Sequence, residues 1–154
     1  AARRIVSTWR WTMPDYRIVL TDWAREQARL SRIRRTVFID EQGVPEALEW
    51  DADDAGAVHL LALDGQGEPI GCARLLPDGH AGRMAVLPAW RGQGVGRALL
   101  EAVVAAAQAR GHSVLRLSAQ THAAGFYARA GFAAVGEEYE EAGIPHIAMQ
   151  KPLV

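Results

Sequence analysis

The chain predicts a mixed α/β (α+β) fold: a mostly antiparallel central sheet of about seven strands flanked by helices, in the order β-α-βββ-α-β-α-ββ. Three observations carry this. Short apolar runs of strand length recur between turn residues. Two longer segments, around 22–38 and 95–110, repeat apolar residues at helical spacing. The second stands between strands near the middle of the chain, which requires at least one parallel pair and so a mixed sheet.

"YRIVL" (16–20) reads as the first strand. Asp22 can N-cap a helix through 24–38, where Trp23, Leu30, Ile33, Val37 and Phe38 recur at helical spacing. Gly43 and Pro45 break it. "AVHLLALD" (57–64), "IGCARLL" (70–76) and "AGRMAVLP" (81–88) form a meander through the turns "GQGEP" and "PDG". Pro88, lacking an N–H, stops the third strand. Val95, Ala98, Leu99, Ala102, Val103 and Ala106 make one apolar helix face, closed by Arg110 and Gly111. "SVLRLSA" (113–119) is a strand and "HAAGFYARAG" (122–131) a short helix. "FAAVGEEYE" (132–140) and "HIAMQKPL" (146–153) are two last strands around a Gly143–Pro145 turn.

The 154 residues suit one domain, 14–154, behind a basic extension at 1–13 that carries Trp9 and Trp11; Met13–Pro14 is a candidate start. No run of 18 apolar residues exists, so no transmembrane helix is expected. Cys72 is the single cysteine, which suits a reducing cytoplasm and reads as a small buried residue. The scattered histidines show no metal-site spacing. The net charge of −1 hides an asymmetry: nine arginines in 1–35, then Asp40, Glu41, Glu46, Glu49, Asp51, Asp53 and Asp54 without a basic residue. The acidic stretch is either a solvated surface or an attractor for a cationic substrate. No base-reading or base-stacking motif accompanies the arginines, so nucleic acid is not an expected partner.

"WRGQGVGRALL" (90–100) sets three glycines at alternate positions ahead of the second long helix. As a dinucleotide fingerprint it fails: the last glycine slot holds Arg97, and 115–118 offers no acidic residue. As a P-loop it lacks the lysine. It fits a pyrophosphate cradle of another design, with open backbone amides, a helix N-terminus and the forked donors of Arg91 and Arg97. A glycine turn serving only packing is the plain alternative.

Arg91-Gly92-Gln93-Gly94-Val95-Gly96, after a strand ending V-x-P, resembles the acyl-CoA-binding motif R/Q-x-x-G-x-G/A of the GNAT acyltransferase superfamily. The element order is similar over roughly 15–152, and "GFYARAGF" (125–132) resembles the second family signature. "VFIDEQGVP" (37–45) and "GIPHIAM" (143–149) are similar to the small bacterial ElaA-like acetyltransferases.

The resemblance implies an N-acetyltransferase that uses acetyl-CoA as co-substrate, without a metal, and acts on a small-molecule or protein amine. A homodimer is the assembly it implies. Residues 91–97, including Arg97, would hold the pyrophosphate. Met84, Ala85 and Val86 would border the pantetheine arm and thioester, with Gln120 beside them. A backbone N–H there, at Val86, would bind the oxyanion. Tyr127 matches the tyrosine that protonates the leaving thiolate. Many members carry a glutamate on the strand before the loop; Arg83 stands here instead. Glu41, His146 and His122 are the candidate bases, beside a water chain with no dedicated base. His59 and His80 read as structural and exposed respectively. A non-catalytic acyl-CoA sensor is the alternative that a missing base would suit.

Overall fold

The computed structural model describes residues 15–153, so the extension expected at 1–13 and its boundary at Pro14 lie outside the described residues. Its elements run β1 (Tyr16–Thr21), α1 (Trp23–Arg34), α2 (Glu46–Glu49), β2 (Val58–Asp64), β3 (Pro69–Leu75), β4 (His80–Val86), α3 (Val95–Ala109), β5 (Val114–Gln120), α4 (Ala124–Arg129), β6 (Ala133–Glu141) and β7 (Ile144–Pro152). The strands form one seven-stranded sheet in the order β1-β2-β3-β4-β5-β7-β6. Every pairing is antiparallel except β4 with β5. This is the mixed, mostly antiparallel sheet that the sequence predicts.

Local chemistry sets the boundaries. The Arg25 amide donates to Asp22 Oδ1 at 2.9 Å, the expected N-cap of α1. The α-helix stops at Arg34, earlier than the periodicity predicts, and a π-helical stretch continues over Arg35–Glu41. Its wider turn keeps Val37 and Phe38 buried. Between 45 and 56 the chain is not the plain break expected after Gly43. It forms α2 and a 3₁₀ turn at Ala52–Gly56, where Asp51 accepts from the Asp53 amide at 3.1 Å. The last hairpin turns at Ala142 and Gly143, both at positive φ (53° and 76°), as a two-residue turn requires. Pro145 is therefore not in the turn but in β7, at a position beyond the end of β5 where no ladder donor is needed on that side.

Two apolar layers cover the sheet. Leu60, Ala62, Leu75, Leu115 and Leu117 pack under Val95, Leu99 and Val103 of α3. Leu61, Leu63, Cys72 and Ala85 pack under Leu30 and Ile33 of α1. β2 is buried on both faces, hence its nearly continuous apolar run. At Gly71 a Cβ would meet Ala85 O and Leu99 Cδ1 at 3.1 Å, so α3 sits close on the sheet only because glycine is there.

The feature that shapes the site is in β4. Its register against β3 shifts between Cys72 and Arg74, so Arg83 and Met84 together oppose Ala73. Arg83 takes φ +48°, a left-handed conformation that costs on the order of 1–3 kcal/mol for a side-chain-bearing residue. Beyond His80↔Arg116 and Ala81↔Leu117, β4 and β5 part. The sheet opens there into a gap between Met84–Val86 and the end of β5.

Candidate active site

At one end of the gap lies the glycine loop. Gly92 and Gly94 have φ of 77° and 88°, conformations that favour glycine. Gly94 precedes α3, and its carbonyl takes the Ala98 amide at 3.0 Å. The amides of Val95, Gly96 and Arg97 therefore have no partner within the helix. A Cβ on Gly94 would lie 3.4 Å from the Tyr16 hydroxyl, and one on Gly96 3.6 Å from the Phe126 ring. Gln93 folds back to Ala89 O at 3.0 Å. Val95 is buried in the core, whereas the Arg97 side chain is 81% exposed, only 3.9 Å from Glu101, and free to turn. These amides, with Arg97, suit a pyrophosphate.

Along β4, Ala85 pairs with Cys72 and Val86 with Gly71, and the Leu87 amide bonds Ile70 O at 2.9 Å. Antiparallel alternation turns the Val86 N–H away from β3, toward the gap. The Val86 carbonyl accepts Arg91 Nε at 2.9 Å. Met84 and Val86 pack on the α3 side, Ala85 on the α1 side. On the α3 side stands Tyr127, whose hydroxyl is 3.8 Å from Met84 Sδ. Phe126 and Phe132 meet its ring edge-on at 5.1 and 5.9 Å. Burial pushes the phenol up to about 12, so it stays protonated throughout the neutral range. A thioether is a weak acceptor, which leaves the hydroxyl proton available to a stronger one.

Across the gap, at the end of β5, Gln120 Nε2 donates to Gln42 Oε1 at 2.8 Å, and His122 Nε2 lies 2.7 Å from Gln120 Oε1. His146 stands opposite Gln120 on β7 and stacks on Tyr139 at 6.1 Å. Tyr139 in turn bonds the Ser118 hydroxyl. The His146 ring is buried, with Nδ1 2.6 Å from Ile144 O and Nε2 3.7 Å from Glu141. A carbonyl only accepts, so Nδ1 carries the proton and Nε2 keeps its lone pair in the neutral ring. Gln42 and Tyr139 were not singled out by sequence: each is an ordinary polar residue until the sheet brings it to the gap.

Glu41 is elsewhere engaged. Its carboxylate meets both terminal nitrogens of Arg91 at 2.7 Å. That hydrogen bond, with the guanidinium's charge, outweighs partial burial and holds the carboxyl below its usual range. The acidic stretch is exposed at Asp40, Glu41, Glu46, Asp51 and Asp53, as a solvated surface is, but most of its carboxylates are paired and not open to a cation. Glu46 pairs with Arg35 at 2.6 Å, Glu49 with Arg34 at 2.9 Å, Asp54 with Arg34 at 2.7 Å and Asp51 with Arg74 at 2.8 Å. Arginines that precede and follow it in sequence thus pair five of its seven carboxylates, Glu41 included. His59 is buried too, its Nε2 2.9 Å from Asp54 O, in a structural role as expected. Among the described residues no cluster of three or more His, Cys, Asp or Glu is placed to hold a metal ion. Nor is any described helix long and apolar enough to cross a membrane.

The acetyltransferase (GNAT) domain family profile matches residues 19–153. The uncharacterized N-acetyltransferase YjcF of Bacillus subtilis (strain 168) is 37% identical over 123 residues, covering 77% of this chain and 87% of its own. The crystal structure of an acyl-CoA N-acyltransferase from Pseudomonas aeruginosa superposes with a TM-score of 0.79 at 34% identity, covering 88% of this chain and 99% of that one. Escherichia coli ElaA superposes with a TM-score of 0.79 at 30% identity over the same shares.

Proposed function

The chain belongs to the GNAT acetyltransferase family, and from that premise we propose that it moves an acetyl group from acetyl-CoA to a primary amine by direct attack in a ternary complex. The family implies an acyltransferase that takes an acyl-CoA. The observation that carries the finer reading is the β4–β5 gap, which has the glycine loop at one end and the Tyr127 hydroxyl beside it.

In this reading the amides of residues 94–97 and Arg97 hold the pyrophosphate, and the acyl arm pairs with the β4 edge as an added strand. The amine nitrogen attacks the thioester carbon. Charge develops on the carbonyl oxygen, which the Val86 N–H receives. The C–S bond breaks, and Tyr127 gives its proton to the departing sulfur. The proton leaving the amine goes to His146 Nε2, directly or through water. Glu41 suits this step less, because its carboxylate is already paired with Arg91. His122, bonded to Gln120, belongs to the polar rim. Tyr127, with its proton retained and a weak partner, favours this enzyme over a non-catalytic sensor. The acceptor is a small-molecule or protein amine, and the cytoplasm is the proposed compartment.

The test is CoA release from acetyl-CoA across a panel of polyamines, aminoglycosides, amino acids and lysine peptides. Amine-dependent release supports the proposal. Binding of acetyl-CoA without release for any amine supports the sensor.

A further inference from the structure

We propose that Arg83, held by Glu49 and Asp51, is a positioning residue for acyl transfer: it locks the β4 bulge that aims Met84–Val86 into the gap. The inference rests on reading that gap as the acyl-CoA site.

Glycine adopts a positive φ without strain, so an arginine at φ +48° must be held there by its surroundings. Its side chain and its carbonyl are both held. Its Nε lies 3.0 Å from Glu49 Oε2, and its Nη2 lies 3.1 Å from Asp51 Oδ2 and 3.0 Å from Glu49 O. Its carbonyl, displaced from the regular ladder, accepts the buried Cys72 thiol at 3.3 Å. The clamp is itself anchored. Glu49 is buried against Arg34 Nε at 2.9 Å, and the Arg34 guanidinium lies over the rings of Trp23 and Trp50 at 5.4 and 5.2 Å. The bulge is thus tied, through the buried Glu49 and Arg34, to α1.

The consequence lies on the opposite face. Side chains alternate along β4, so Arg83 and Ala85 point to the α1 side, and Met84 and Val86 to the side of Tyr127. The extra residue at 83–84 sets that alternation beyond the bulge. It places Met84 against Tyr127 and turns the Val86 N–H into the gap. Arg83 therefore occupies a strand position before the loop without touching the reacting atoms. It fixes the backbone that does.

The test uses acetyl-CoA labelled with ¹³C at the thioester carbonyl, which needs no acceptor. Bound to the wild-type protein, the carbonyl resonance should shift downfield, as expected of a carbonyl polarised by an N–H donor. In Arg83→Gly, which relieves the strained φ but removes the clamp, affinity should stay within about twofold because the glycine loop is untouched. The carbonyl resonance should move back toward its free position. With any amine that supports turnover, kcat should fall about tenfold or more at an unchanged KM for acetyl-CoA. Asp51→Asn lies at the rim of the cluster and should show the same pattern more weakly; it carries the test if Arg83→Gly does not fold. A variant that is folded and binds acetyl-CoA with the wild-type carbonyl shift overturns the inference alone. Absence of acetyl-CoA binding by the wild-type protein overturns the site reading as well.

Discussion

Arg91 and Glu41, fifty residues apart, form a two-pronged ion pair with both N–O distances at 2.7 Å. The same guanidinium uses Nε on the Val86 carbonyl, so one side chain ties the end of the π-helical stretch to the end of β4. The sequence alone suggests Arg91 for phosphate and Glu41 as a candidate base. The pair makes each a constraint on the other.

Glu41→Gln should therefore leave the pH dependence of turnover where it is, since a carboxyl held low is not the group that titrates near neutrality. It should tighten CoA binding about two- to fivefold at low salt by removing a negative charge near the phosphates, and the gain should fade as salt screens it. A lost acidic limb in the kcat/KM profile would instead make Glu41 the base.

Tyr127→Phe should lower kcat about a hundredfold with acetyl-CoA affinity nearly unchanged. The phenol is pushed up to about 12 by burial, so it stays protonated at every ordinary assay pH. The variant's pH–rate profile should drop without moving its limbs. Weaker binding at preserved turnover would remove Tyr127 from the chemistry.

Gly94→Val places a β-branched side chain at φ +88° and within 3.4 Å of the Tyr16 hydroxyl. Calorimetry should find acetyl-CoA binding weakened at least about tenfold in a folded protein. Unimpaired binding would put the pyrophosphate elsewhere.

Asp54 is buried between Arg34 and Arg74, at 2.7 and 3.0 Å. Burial is the largest influence on it and raises its pKa, but the hydrogen bonds and charges of the two arginines together win and lower it. A carboxyl depressed in the fold stabilises above its unfolded value, and that stability is lost as pH falls through the folded value. Asp54→Asn should cost about 3–5 kcal/mol at neutral pH by leaving buried guanidinium charge unmatched. Denaturant titrations should then show less acid destabilisation below about pH 4 than in the wild type. An unchanged neutral stability would show that the cluster is not a structural anchor.

The periodicity and punctuation of the sequence predict the sheet, because strand runs such as "VHLLALD" and the α3 stripe are local signals. The same holds for the glycine loop, whose spacing is contiguous. The partners of the acidic stretch were not legible. Nothing in "EALEWDADD" reports that Arg34, Arg74 and Arg83 converge on it, since those contacts span many residues and arise only when α1, β3 and β4 pack. The bulge at Arg83 was hidden for a related reason. A glycine would have signalled a left-handed residue; an arginine held there by distant carboxylates does not. The apolar periodicity runs past the end of α1 because a π-turn keeps nearly the same apolar spacing as an α-helix over so short a stretch.

The central claim is that residues 91–97 and the β4–β5 gap hold an acyl-CoA, and thermal shift with acetyl-CoA, CoA and NAD side by side tests it most directly. At about 100 times its Kd, a ligand of the folded state adds about 2.7 kcal/mol of apparent stability. The account predicts a clear rise in melting temperature with acetyl-CoA and CoA and none with NAD. No rise with either CoA species would contradict it, leaving "RGQGVG" as a turn and the gap without its substrate.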